Sequence, residues 1–316
     1  MIRTVAVGSI TDHRSPTHVS TLERILLAVD GSAASESAVR AVGALIKGGD
    51  TDVFVVHLSD DGPPLAISFG PAPMPPRATA PRTEAYVESA VRTLQSLGVR
   101  ATGAVYKPVN DVGGEIVESA RSFACGLIAV GTGGRGRLGS ILLGSVARHV
   151  IHRADRSVLV APLSCTVPSA FTRILVAVDG SKYSERAVEL AAETAEMAGA
   201  EVVVLHVCAP HGPPWMRYDR NSFSDELDPA DTAAALVDRM VGGLADRGLT
   251  AFPAIRPARG RLAIGHLAAD VLEAARQYDC QMVVVGPRSQ TGPGLMLGSV
   301  AFQLLHSATV PVLIAR

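Results

Sequence analysis

Short apolar runs punctuate this chain, and between them lie longer stretches in which apolar residues return every three or four positions. RILLAV, DVFVVHL, GLIAV and SVLVAP are such runs in the first half, and RILVAV, EVVVLHV, MVVV and PVLIA in the second. Runs of Val, Ile and Leu without polar alternation mark strands buried on both faces. Strands of this kind alternating with helical stretches predict βαβ units around a parallel sheet. The pattern places strands near 24–29, 52–58, 99–105, 126–130 and 157–161, with helices near 33–46, 82–97, 112–122 and 145–153. The second half repeats that order, with strands near 173–178, 201–207, 250–255, 281–285 and 311–315. The fold class expected is α/β: two tandem Rossmann-like domains, each an open five-stranded parallel sheet with helices on both faces.

The halves are copies of each other. ERILLAVDGSAASESAVRAV from Glu23 returns as TRILVAVDGSKYSERAVELA from Thr172, and one constant offset carries Asp30-Gly31-Ser32 onto Asp179-Gly180-Ser181 and His57 onto His206. The expected division is an extension over 1–21 with no counterpart, a first copy over 22–163, a linker over 164–171 and a second copy over 172–316. Each copy carries a long proline-containing loop between its second strand and second helix, a feature more typical of a lid or contact surface than of a connector. The final strands, SVLVAP and PVLIAR, are apolar edges that call for a partner. Pairing of the two copies within the chain is therefore expected, with a homodimer left open.

At 316 residues, two domains are expected on length alone. Composition narrows the picture further. Hydrophobic residues make up 47% and aromatics 4%, so the cores must be built from Ala, Val, Leu and Ile. A net charge of -1 supplies no general field for nucleic acid or anionic lipid, and the amino-terminal stretch reads as neither a signal peptide nor a membrane span. Cys125, Cys165, Cys208 and Cys280 form no CxxC pair, which speaks against a zinc ribbon or a dithiol redox centre and for a reducing, cytoplasmic setting.

Candidate chemistry gathers in VGTGGRGRLGSILLGSVARHV, from Val130 to Val150. Gly131 ends a strand, Gly134 follows, and Gly144-Ser145 opens a helix. Glycines let backbone amides approach a phosphate, and a helix amino terminus offers unpaired N–H groups with a favourable dipole. Arg135 and Arg137 lie between, facing either phosphate or solvent. The literal GxGxxG of Gly131, Gly133 and Gly136 follows the fourth strand and not the first, so it does not make a dinucleotide fingerprint, and no GxxxxGK[ST] is present.

The spacing of Gly131, Gly134 and Gly144-Ser145, with VDGS after the first strand and a histidine near the end of the second, resembles the universal stress protein family over almost everything after residue 21. That resemblance implies the adenine nucleotide alpha hydrolase-like variant of the fold and, as in ATP-binding members, a nucleotide at the carboxyl ends of the strands. Carried over, Ala28, Val29 and Asp30 would line adenine and ribose with Leu58 beside the base. Val130, Gly131 and Gly134 would flank ribose and phosphates, and Gly144, Ser145 and Val146 would hold the phosphate tail. Ala147 stands where some members carry a hydroxyl. ATP is the expected ligand, with Mg2+ as a companion and Asp30 as the acid at hand; cyclic nucleotides stay open.

The second copy departs from this pattern. Ser289 replaces the second glycine, Pro287 and Pro293 remove amide donors, and the interval from Gly286 to Gly298 is one residue shorter than from Gly131 to Gly144. Asp179, Val207, Gly286, Gly298 and Ser299 would make a weak or empty second site. Each motif also has a plainer reading. Asp30 is a candidate helix cap, His57 and His206 are packed strand-end residues, and Cys125 and Cys280 are small buried apolar groups. No catalytic residue is assigned. The leading reading is a nucleotide-binding stress-response protein, its rivals a weak nucleotide hydrolase and a scaffold that binds nothing.

Overall fold

In the computed structural model, which describes residues 21–46, 50–59, 81–109, 111–133, 143–163, 165–208, 229–258, 264–288 and 297–316, the apolar runs become strands. The first half runs β1 (Arg24–Ala28), α1 (Ala33–Leu45), β2 (Asp52–Leu58), α2 (Pro81–Ser96), β3 (Arg100–Tyr106), α3 (Val112–Ser122), β4 (Leu127–Gly131), α4 (Ser145–Arg153) and β5 (Ser157–Ala161). The second half repeats the order as β6 (Arg173–Val178), α5 (Lys182–Ala198), β7 (Glu201–Cys208), α6 (Pro229–Asp246), β8 (Ala251–Pro257), α7 (Ile264–Gln277), β9 (Met282–Val285), α8 (Ser299–Ser307) and β10 (Val312–Ile314). Every strand bound, and every helix bound of the first half, falls within two residues of the sequence expectation. The extension up to residue 20 and the two long loops, 60–80 and 209–228, lie outside the described residues.

All strands join one sheet in the order β3-β2-β1-β4-β5-β10-β9-β6-β7-β8. Each half is parallel, as its buried runs require. The sheet is mixed because β5 and β10 meet antiparallel, with Leu159 opposite Leu313. These two leucines are equivalent positions of the repeat, so a residue faces its own copy, the signature of a two-fold relation. One face carries α1, α2, α5 and α6 over a core that includes Leu27, Val55, Val176 and Val204. The opposite face carries α3, α4, α7 and α8 over Leu26, Ile128, Leu175 and Val283.

The connection between the halves is built into the core. Cys165 and Phe171 are buried, and the Phe171 N–H donates to the Ala44 carbonyl at 3.3 Å. Across the halves, the Thr21 N–H donates to Glu193 Oε2 at 2.9 Å, and the Arg316 guanidinium donates to the Ile151 carbonyl. β3 and β8 are the outer edges, and β8 carries Pro253 and Pro257, residues that cannot template a further strand. Among the described residues, no helix is long and apolar enough to cross a membrane.

Candidate functional site

Between β1 and β4 the winding reverses: α1 leaves β1 on one face of the sheet, and α4, following β4, packs on the other. In open α/β sheets the crevice outside the strand ends at such a point is where ligands sit. The β1 side is a sharp turn. Gly31 adopts φ +74, a left-handed conformation that strains other residues, and it brings Ser32 back to accept from the Ser35 N–H at 3.2 Å as the cap of α1. Asp30 Oδ1 accepts the Ser32 N–H at 2.9 Å, so Asp30 shapes the turn and the cap role falls to Ser32. Ser32 Oγ then donates across the crevice to the Gly133 carbonyl at 3.1 Å.

The β4 side is held by Thr132, a residue sequence reasoning passed over. Its N–H donates to Ala161 O at 2.9 Å, its carbonyl accepts the Gly144 N–H at 2.5 Å, and its Oγ1 accepts the Leu163 N–H at 3.2 Å. The start of α4 is thereby pinned beside the end of β4. Gly144 caps α4 without a side-chain hydrogen bond, and no described group accepts from the N–H of Ser145, Val146 or Ala147. Gly131 is required by closeness: a Cβ there would lie 2.5 Å from the Ala34 carbonyl carbon. Ala28, Leu58 and Val130 share the α3/α4 face, whereas Val29 points into the opposite core. The structure therefore brings Ala28, Asp30, Leu58, Val130, Gly131, Gly144, Ser145 and Val146 to one end of the sheet, while the Val29 side chain lies in the opposite core and its N–H and carbonyl are taken by Val56 and His57. Gly134, Arg135 and Arg137 lie outside the described residues.

In the second copy, Asp179, Val207, Gly286, Gly298 and Ser299 occupy the corresponding places, but the details differ. Gly180 repeats the turn at φ +77, yet Ser181 Oγ folds back onto Asp179 Oδ1 at 2.6 Å, where Ser32 instead reaches across to β4. Pro287 keeps the carbonyl contact to the Gly298 N–H at 2.6 Å but brings no N–H of its own. Arg288 follows it, its guanidinium 5.0 Å from the centre of the Tyr183 ring. Ser289 and Pro293 lie outside the described residues.

The model of the Universal stress protein family matches residues 21–162 and again residues 170–316. The chain belongs to that family. A universal stress protein of Mycolicibacterium smegmatis is 28% identical over 312 residues, covering 92% of this chain and 96% of the relative. One of Mycobacterium tuberculosis is 30% identical over 196 residues, 60% of this chain and 61% of the relative. The crystal structure of a universal stress protein from Archaeoglobus fulgidus superposes with a TM-score of 0.63 at 20% identity, over 93% of this chain and 98% of that one, a likeness of fold.

Within this universal stress protein, the strand-end histidines are structural ties. His57 Nδ1–H donates to the Val29 carbonyl at 2.6 Å and His206 Nδ1–H to the Val178 carbonyl at 2.8 Å, each joining one strand to the carboxyl end of its neighbour. The four cysteines are free, and burial pushes the Cys125 and Cys280 thiols up to about 12. A cavity of about 200 Å³ lined by Gly31, Ser35, Glu36, Arg40 and Tyr86 lies between α1 and α2, on the face away from Ala28 and Leu58. A second, of about 560 Å³, lies at the start of α3, beside an Asp111 carboxyl held below the usual range by the Gly114 N–H, His149 and Arg153. That carboxylate clamps α3 to α4 at 3.1 Å from His149 Nδ1 and 2.7 Å from Arg153 Nη1. Among the described residues, no group of three or more potential metal ligands gathers.

Proposed function

We propose that this protein is a cytoplasmic stress-response protein whose first copy, residues 22–163, binds an adenine nucleotide, ATP first among them. The nucleotide serves as a ligand that stabilises or switches the chain. One observation carries the reading: α4 begins with no side-chain cap, pinned by Thr132 beside the crevice between β1 and β4. Three successive N–H groups and the helix dipole make that end a seat for phosphate. Ala28 and Leu58 offer an apolar wall to the base, and Val130, Gly131 and Gly134 would leave room for ribose and phosphate.

Asp30 suits either a ribose hydroxyl or a cation beside the phosphates, because its Oδ1 is committed to the Ser32 N–H while Oδ2 takes no hydrogen bond from a described group. Mg2+ bound there would supply positive charge to the phosphate tail. The second copy, residues 172–316, follows the linker 164–171. In this reading it pairs with the first through β5 and β10 and holds adenine nucleotide weakly or not at all, because Ser181 binds Asp179 and Pro287 brings no N–H to the loop.

Mass spectrometry of small molecules released from the purified chain tests this reading. About one adenine nucleotide per chain is expected. Gly144→Asp, which sets a carboxylate among phosphate donors, should abolish it. Unchanged nucleotide content in the variant would overturn the site; absence of nucleotide from the unaltered chain, with no rise in melting temperature on adding ATP, would overturn the function.

A further inference from the structure

The wall of the second copy carries a cation where the first carries a phenol. Tyr106 stands opposite Leu58 at the carboxyl end of β3, and Arg256 stands opposite Val207 at the carboxyl end of β8. Both lie on the face of the sheet that carries α3, α4, α7 and α8: Tyr106 packs there with Ala28 and Leu58, and Arg256 follows by two residues Ala254, buried in the same core. Tyr106 is a neutral, largely buried surface, with its phenol pushed up by burial. Arg256 is different in kind. Its Nη1 is enclosed and donates to no described group. A guanidinium can only donate, and an Nη1 shielded from solvent with no acceptor beside it leaves this partly buried cation free to take one from outside the chain.

The phosphate end changes in the same sense. Where the first copy has Ala33 and Gly133, the second has Lys182 and Arg288, flanking the Tyr183 ring at 5.4 Å and 5.0 Å. Arg288 follows β9 and Arg256 is the last residue but one of β8, three strand spacings apart, on the order of 14 Å. An extended nucleotide bridges that distance and a bare phosphate does not. Val207 and Ala177 pack between them as partly buried apolar positions. Guanine offers adjacent acceptors, O6 and N7, that match a guanidinium fork, whereas adenine presents an amino donor in place of one of them.

We propose that the second copy binds a guanine nucleotide, with Arg256 reading the base and Arg288 and Lys182 holding the phosphates. The inference rests on the reading of these strand ends as nucleotide sites. The test is calorimetric titration of the full chain carrying Gly144→Asp, which closes the first copy. One GTP per chain is expected, with ATP weaker by on the order of tenfold to a hundredfold. Arg256→Met should bring GTP down to the level of ATP, and Arg256→Lys, which keeps charge but loses the fork, should also erase the preference. Equal or tighter ATP binding, no binding of either nucleotide, or competition by tripolyphosphate as strong as that by GTP would each overturn the proposal. ATP titration of a chain carrying Gly298→Asp, which closes the second copy and leaves the first intact, reads the first copy alone, so failure there condemns the adenine site and leaves this result standing.

Discussion

Cys125 and Cys280 stand just before β4 and β9, with thiols that burial pushes up to about 12. The fold favours the neutral thiol, because burial penalises the thiolate. The sign follows. Each thiol's contribution to stability is whole below the ordinary value near 9 and shrinks as pH rises toward 12, because the unfolded chain ionises first. Two results are expected: at pH 8 a thiol reagent should modify half-buried Cys208 and spare Cys125 and Cys280, and urea midpoints should fall between pH 9 and 11, less so in Cys125→Ala. Rapid modification of all four at pH 8 would refute the burial argument. At this scale the sequence announced residue types better than roles. Asp30 reads as a cap from order alone, and only the left-handed turn at Gly31 gives that role to Ser32 and makes Asp30 a brace of the turn. Thr132 and Arg256 sent no local signal; aligning Pro287 with Thr132 and Arg256 with Tyr106 would have exposed both as positions where the copies diverge.

At the scale of elements, hydrophobic pattern located the strands, and the helices of the first half, to within two residues because strands buried on both faces cannot carry polar positions without leaving charges unpaired. What pattern could not supply is the orientation of one end strand against the other. Leu159 opposite Leu313 makes β5 and β10 antiparallel, and three residue pairs carry that junction: Val160 with Val312, Leu159 with Leu313 and Val158 with Ile314. β10 is also the neighbour of β9, so it holds the second half's own sheet together. Removing residues 311–316 should expose two apolar strand edges at once and leave the chain insoluble or partly unfolded, read by sedimentation and circular dichroism. A soluble truncation with unchanged helix content would show that the junction is dispensable.

For the whole molecule, the decisive feature is that the hydrophobic cores cross the repeat boundary. On one face, Leu45 and Leu94 of the first half belong to the same cluster as Phe171 and as Leu190 and Val237 of the second; on the other, Ile128 and Val150 share a cluster with Val283 and Leu304. With the sheet also continuous, unfolding one half strips buried surface from the other, so the copies are coupled through burial and not only through a tether. Heating should give a single transition whose calorimetric and van't Hoff enthalpies agree, despite the length of the chain. Nucleotide at the first copy should then raise the entire transition, by about 2.7 kcal/mol at a hundredfold excess over its dissociation constant, and slow amide exchange in β7 on the far side of the sheet as well as in β1. Two resolved transitions, with only the first shifted by ATP, would mean that the halves unfold independently. A single shifted transition makes the second copy a reporter of occupancy in the first, because a change felt at β1 reaches β7 through strands and side chains that cannot rearrange one half at a time.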